Sequence, residues 1–227
     1  MNESPYFVSD VMSRPVVAVV RDAPFKEIAE ALARWRVSAM PVLDAERRVV
    51  GVVSEADLLL KEEFRGLAPK GSGRVRRPVD FAKARASTAE DLMTSPAITV
   101  HEDMTLPQAA RIMAVEKVKR LPVVDAEGRV CGVVSRSDLL KVFLRTDEDL
   151  AAEIRSGVVE RLVAVSGGEV RVRVSQGVVT LSGTLKDPGL IPVAIRLIQA
   201  VPGVVRIEST LSGPRDASAG ICPGADD

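Results

Sequence analysis

Apolar and polar positions along this chain fall into two long blocks with the same order. In the first, "PVVAVV" from Pro15 is an apolar run of the strand type. Phe25, Ile28, Ala29, Leu32 and Trp35 then recur at helical spacing, which predicts an amphipathic helix. "AMPVLD" and "VVGVVS" read as two strands around the turn "AERR", and "DLLLKEEF" as a closing helix. The second block runs "PAITVH", a helix through Leu106, Ala109, Ala110 and Met113, "RLPVVD", "AEGR", "VCGVVS" and "DLLKVFL". One shift of 81 residues, without a gap, carries Met12 onto Met93, Pro15 onto Pro96, Pro41 onto Pro122, Gly51 onto Gly132 and Asp57 onto Asp138. Each copy therefore reads strand, helix, strand, strand, helix, with Asp22 and Asp103 expected to cap the first helix.

Between the copies, residues 63–87 lose all periodicity and become rich in Gly, Pro and basic residues, which predicts a mobile connection. Its cluster of Arg74, Arg76, Arg77, Lys83 and Arg85 reads as a solvated linker, with an anion contact as the alternative. A third pattern starts after Thr146. Leu150, Ile154, Val158 and Leu162 mark a helix, and "EVRVRVSQGVVTLSG" alternates at period two around Gln-Gly, a hairpin signature. The hairpin sets Val170, Val172 and Val174 on one face and Arg171 and Arg173 on the other. "PGLIPVAIRLIQAVPG" predicts a second helix and "VVRIESTLS" a last strand, while residues 213–227 are small and polar and are expected to form a disordered tail. The fold class is α/β in the α+β sense. Its segments are 8–62, a basic linker 63–87, 88–145, 147–212 and the tail.

Composition narrows the functions. Thirty-one basic residues balance 31 acidic ones in 227, so no global field recruits nucleic acid, and no nucleic-acid partner is expected. Cys131 and Cys222 lie in an apolar run and a Gly/Pro-rich tail, so no disulfide is expected, which fits a reducing compartment. With no apolar stretch of spanning length and no basic-then-apolar leader, a cytoplasmic location is expected. His101 has no Cys or His at ligand spacing, and the chain carries neither GxxxxGK nor GxSxG. No catalytic set, metal or cofactor is expected.

The chemistry concentrates in "GVVSEAD" and "GVVSRSD". A serine entering a helix with an acid three residues on forms a capping box, a stabilising device of about 1 kcal/mol that requires no ligand. The start of a helix also carries unpaired N–H groups and positive partial charge, which attract phosphate, while the carboxylate suits the two hydroxyls of a ribose. Both readings stand for Ser54 with Asp57 and Ser135 with Asp138.

The duplicated strand, helix, "PVxD" and "GVVSxxD" leading into "LL" resembles the CBS domain, and two copies resemble a Bateman module, over about residues 8–145. The resemblance implies paired clefts that often bind adenine-containing ligands (AMP, ADP or ATP), with Asp57 and Asp138 on ribose and Ser54 and Ser135 on phosphate. Val17 and Ile98, with Ala39 and Met40, Arg120 and Leu121, would line the base and phosphate sides. Lys119, Arg120 and Arg136, against Ser38, Ala39 and Glu55, would make the second cleft the more electropositive, with solvated surface charge as the alternative for these basic residues. Residues 147–212, with "GVVTLSG" and "PGVVRIESTL", resemble a BON domain, a family associated with membrane surfaces, where Arg171 and Arg173 are the candidate lipid or anion contacts. The expected function is a non-catalytic regulatory protein that senses an adenine nucleotide, forms a homodimer and acts on an unidentified protein target. The alternatives are a dimerisation and interaction module with empty clefts, or a protein held at a membrane surface.

Overall fold

The structure, a computed structural model, describes residues 6–64 and 78–213. They form two compact units, Tyr6–Leu139 and residues 140–213. The first unit holds both repeats. In the first repeat, β1 (Val19–Val20) lies parallel to β2 (Ala39–Leu43), which pairs antiparallel with β3 (Val49–Ser54). Helix α2 (Phe25–Trp35) and helix α3 (Glu55–Glu63) complete it, and Ile28, Leu32, Met40, Val42, Val53 and Leu58 share its core. The second repeat has the same topology through β4 (Val100–His101), α6 (Leu106–Val115), β5 (Arg120–Val124), β6 (Val130–Ser135) and α7 (Arg136–Leu139). Equivalent residues keep equivalent register: Met40 faces Val53 and Leu121 faces Val134.

The aspartate of "PVxD" builds the hairpin turn. Asp44 Oδ1 accepts the N–H groups of Glu46 and Arg48, and Asp125 Oδ1 accepts those of Glu127 and Arg129. The expected caps at Asp22 and Asp103 are displaced by two residues. Pro24 starts α2 with no side-chain cap, and Thr105 starts α6 in a capping box with Gln108. Trp35 also departs from its apolar face: at the last turn of α2 it is 56% exposed, with the Arg34 guanidinium 5.5 Å from its ring centre.

The repeats exchange their leading segments. Helix α1 (Val8–Val11) precedes the first repeat but docks on the second, where Val8 N–H donates to Met104 O at 2.8 Å and Ser13 bridges Val133. Helix α5 (Ala89–Leu92) precedes the second repeat but docks on the first, where Ala89 N–H donates to Ala23 O at 2.9 Å and Thr94 bridges Val52. Ala89 and Leu92 are fully buried members of the first repeat's core. The glycine of each "GVVS" is the seat of this exchange. A Cβ on Gly51 would stand 2.3 Å from Met93 Sδ, and one on Gly132 would stand 2.3 Å from Met12 Sδ.

The connection is not irregular throughout. Residues 65–77, with Arg74, Arg76 and Arg77, lie outside the described residues, but α4 (Pro78–Arg85) is helical and packs beside α3. Lys61 of α3 secures the segment after it, donating to Ala86 O at 2.9 Å while its ammonium lies 4.9 Å from the Phe25 ring centre.

The second unit opens with a short 3₁₀ turn (Leu140–Leu144), then α8 (Asp147–Ile154), a wider π turn (Arg155–Val159) and α9 (Glu160–Ser166). Strict four-residue spacing drifts by about 40° per step on a 3.6-residue helix. The π turn takes up that drift and keeps Leu150, Ile154 and Val158 facing one core. Strands β7 (Gly168–Ser175) and β8 (Val178–Leu185) form the hairpin, and β9 (Arg206–Ser212) adds parallel to β8 after α10 (Leu190–Gln199). Gln176 and Gly177 both take positive φ, as a tight two-residue hairpin turn requires. The Asp147 carboxylate clamps that turn, accepting both N–H groups at 2.7 and 2.9 Å. The tail 214–227 lies outside the described residues.

The exchange predicts a specific coupling. Gly51→Ala should destabilise the protein by about 1–3 kcal/mol through overpacking, and Met93→Ala in the same chain should recover part of that loss. Chemical denaturation of the two single variants and the double variant checks it; strictly additive losses would disprove the contact.

Candidate functional site

Strand β3 runs directly into α3, so Ser54 is at once the last strand residue and the N-cap, with Asp57 at the third helical position. Ser54 donates both its N–H (2.9 Å) and its hydroxyl (2.7 Å) to Asp57 Oδ2, and Glu55 N–H donates to Ser38 O at 3.0 Å. The second repeat repeats this at β6 and α7. Ser135 donates its N–H (2.9 Å) and hydroxyl (2.5 Å) to Asp138 Oδ2, and Arg136 N–H donates to Lys119 O at 3.1 Å. The capping reading is thus realised in both copies. Sheet register brings Ala39 opposite Ser54 and Arg120 opposite Ser135, so these expected neighbours do assemble beside the caps.

The other expected lining residues divide. Val17 and Ile98 are half-buried ahead of β1 and β4. Met40 and Leu121 are each only 1% exposed, so their side chains belong to the core. Both lie in strands that are buried over consecutive residues, Met40–Val42 and Leu121–Val124, which leaves their backbone as the part that can face a cleft. Arg136 is also placed differently from expectation. Its guanidinium donates to Val118 O at 3.1 Å and Met113 O at 3.3 Å, tying down the carbonyl end of α6. Lys119 is exposed beside it, and Arg120 is half-buried.

Two residues of the first site had no signal in local sequence. Lys83 of α4 places its ammonium 2.5 Å from Asp57 Oδ1 and 3.1 Å from Thr94 Oγ1. At 8% exposure Lys83 is the buried charged residue of the described core. In the second site Ser137 is a further neighbour, its hydroxyl 2.8 Å from that of Ser135.

Elsewhere the chemistry is quiet. Burial, with the Glu102 charge, pushes the Cys131 thiol up, and its Sγ lies 3.4 Å from Val123 O, which disfavours the thiolate. His101 is exposed at the end of β4. Among the described residues no His, Cys, Asp and Glu cluster has the arrangement to hold a metal. On the open face of the second unit, Arg171 and Arg173 are exposed as the alternation requires. Arg171 is paired with Glu169 at 2.9 Å, and Arg206 with Glu208 at 2.5 Å. The stripe is therefore mixed in charge, a weaker attraction for an anionic surface than free arginines would give.

Two segments, 8–62 and 89–145, match the CBS domain, and residues 146–212 match the BON domain. The chain is a tandem CBS pair with a C-terminal BON domain. An uncharacterized protein of Methanocaldococcus jannaschii is 28% identical over 160 residues, 63% of this chain and 95% of that protein. The chloroplastic CBS domain-containing protein CBSX1 of Arabidopsis thaliana is 31% identical over 135 residues, 52% of this chain and 55% of its own length. Inosine-5'-monophosphate dehydrogenase of Aquifex aeolicus is 31% identical over 127 residues, yet the match spans only 22% of that enzyme. Among solved structures, Arabidopsis thaliana CBSX2 in complex with AMP matches with a TM-score of 0.53 at 29% identity, covering 61% of this chain and 97% of that one. A CBS domain pair in complex with 5-methylthioadenosine and S-adenosyl-L-methionine shares the fold, with a TM-score of 0.50 at 24% identity, over 61% of this chain and 99% of that one. The CBS pair accounts for these structural matches; the BON unit lies beyond them.

Lys83 and Asp57 are both nearly enclosed, with side chains 10% and 14% exposed. Asp57→Ala, which strips the cap and strands a buried ammonium, should cost roughly 3–5 kcal/mol. Lys83→Met, which keeps the apolar stem and leaves Asp57 bonded to Ser54, should cost clearly less. Denaturant titration of both variants tests the ranking, and equal losses would contradict it.

Proposed function

We propose that this CBS–BON chain is a non-catalytic regulatory protein that binds an adenine nucleotide of the AMP, ADP or ATP class at its paired repeats. The observation that carries the reading is the repeated strand-to-helix junction, where a serine and an aspartate meet beside the register partner Ala39 or Arg120. A carboxylate there accepts the two hydroxyls of a ribose, and the opening amides of the helix with nearby Lys119 and Arg120 favour phosphate. The 29% identical CBSX2, whose crystal structure contains AMP, supports the ligand class. Ligand binding then shifts the packing of the repeats or of a dimer, because it favours one arrangement over another.

Self-association fits the same unit. Trp35, Leu59 and Val115 stand on α2, α3 and α6 at 56%, 59% and 70% exposure, large apolar groups that a second copy would cover. These residues equally favour the second reading, a dimerisation and interaction module that needs no ligand. The BON unit serves localisation or contact with a protein target, and we place the protein in the cytoplasm. No helix among the described residues is long and apolar enough to cross a membrane.

Calorimetric titration with AMP, ADP and ATP separates the two readings. Hydrogen bonds to a charged group contribute about 1.5–3 kcal/mol, so Asp138→Ala should weaken the preferred nucleotide roughly 10- to 100-fold. Unchanged affinity in both Asp138→Ala and Asp57→Ala would refute the site. No heat and no thermal shift with any adenylate would leave the interaction module as the function.

A further inference from the structure

The first Ser-x-x-Asp site is already filled from within the chain. We propose that Lys83 is the resident cation of that site, holding Asp57 until a nucleotide displaces it, so that the first repeat reports ligand through the segment between the repeats. The proposal deepens the nucleotide reading above and, in its ligand part, rests on it.

The acceptor count shows the competition. An ionised carboxylate offers about four lone-pair positions. Ser54 uses two on Oδ2, through its N–H and its hydroxyl, and the Lys83 ammonium holds Oδ1. A ribose needs two adjacent acceptor positions for its hydroxyls, and with Lys83 in place Oδ1 cannot give both. Lys83 also donates to Thr94 Oγ1, so the ammonium bridges two residues that the docked α5 segment brings together. Entry of a nucleotide must therefore move the Lys83 side chain off Asp57.

Lys83 has no lysine counterpart under the repeat shift. The 81-residue shift that superimposes the repeats sets Asn2 against Lys83 and Ser13 against Thr94, so the sequence supplies no second lysine. A ligand at the first site must therefore exchange with a cation that the chain itself provides. Lys83 is carried on α4, and the chain passes from there through Ala86, held by Lys61, into α5. Displacement at Asp57 is thus felt where the connection joins the exchanged segment.

Reductive methylation of the intact protein with mass-spectrometric readout of each lysine tests the occupancy without any nucleotide. Lys83 should modify at least tenfold more slowly than Lys26, whose side chain is 88% exposed, and Asp57→Asn should abolish most of that protection. AMP should raise Lys83 modification in the wild-type chain, and Lys83→Met should bind AMP at the first site at least tenfold more tightly, the gain disappearing in Lys83→Met with Asp57→Ala. Modification of Lys83 at the rate of Lys26 in the free protein overturns the proposal outright. So does AMP binding in Lys83→Met that matches the wild type in both affinity and stoichiometry. Protection of Lys83 that Asp57→Asn relieves, with no adenylate bound by either protein, upholds the resident cation and instead defeats the nucleotide reading.

Discussion

Two methionines lying over two glycines fix the relation between the repeats. Met93, delivered by the segment before the second repeat, packs on Gly51 of the first, and Met12 packs on Gly132 of the second, at distances no Cβ would tolerate. Because each leading segment completes the other repeat, neither repeat has a whole core by itself: Ala89 and Leu92 belong to the first although they follow it by a long connection. Salt bridges repeat the exchange at the surface, Arg14 with Glu102 and Arg21 with Glu90, both at 3.0 Å. Exposed pairs of this kind add little stability, so the buried glycine contacts, and not the charges, decide the arrangement.

The glycine contacts lie three residues before the capping serines on the same strands, β3 and β6. The strand that receives the exchanged segment is therefore the one that presents Ser54 or Ser135. Thr94, brought by that segment, bridges Val52 and reaches the Lys83 ammonium. Exchange and candidate site are one construction: the packing that joins the repeats also supplies a wall of the first site.

Much of this was legible in the chain because it is periodic or local. The 81-residue shift, the capping boxes, the hairpin turns after the "PVxD" strands and the Gln-Gly hairpin each depend on residues within a few positions of one another, or on simple duplication. What sequence could not show are choices made between distant segments. A perfect repeat looks the same whether its leading segment docks on its own copy or on the other. Lys83 sits among arginines in a Gly/Pro-rich stretch, and nothing nearby marks it as the one that will be buried against Asp57, 26 residues earlier. Arg136 differs from Glu55 in sign, which suggests a charged cleft, but its guanidinium is drawn to Met113 O in the last turn of α6 and Val118 O just beyond it. Met40 and Leu121 precede the Pro-Val of the motif and are buried with it, since their strands are covered over consecutive residues.

A capping carboxylate makes an unusual ligand site, because it has structural work to do whether or not a ligand is present. Ser54 and Ser135 already satisfy one oxygen of each aspartate, so the repeats can fold without a nucleotide. That independence suits a sensor. A ligand moves an equilibrium only by the difference between its affinities for two states, and a site that collapsed when empty would couple binding to folding rather than to signalling. In the first repeat the empty state is further defined by an internal cation, so ligand-free and ligand-bound forms would differ in where a helix-borne lysine finds its anion.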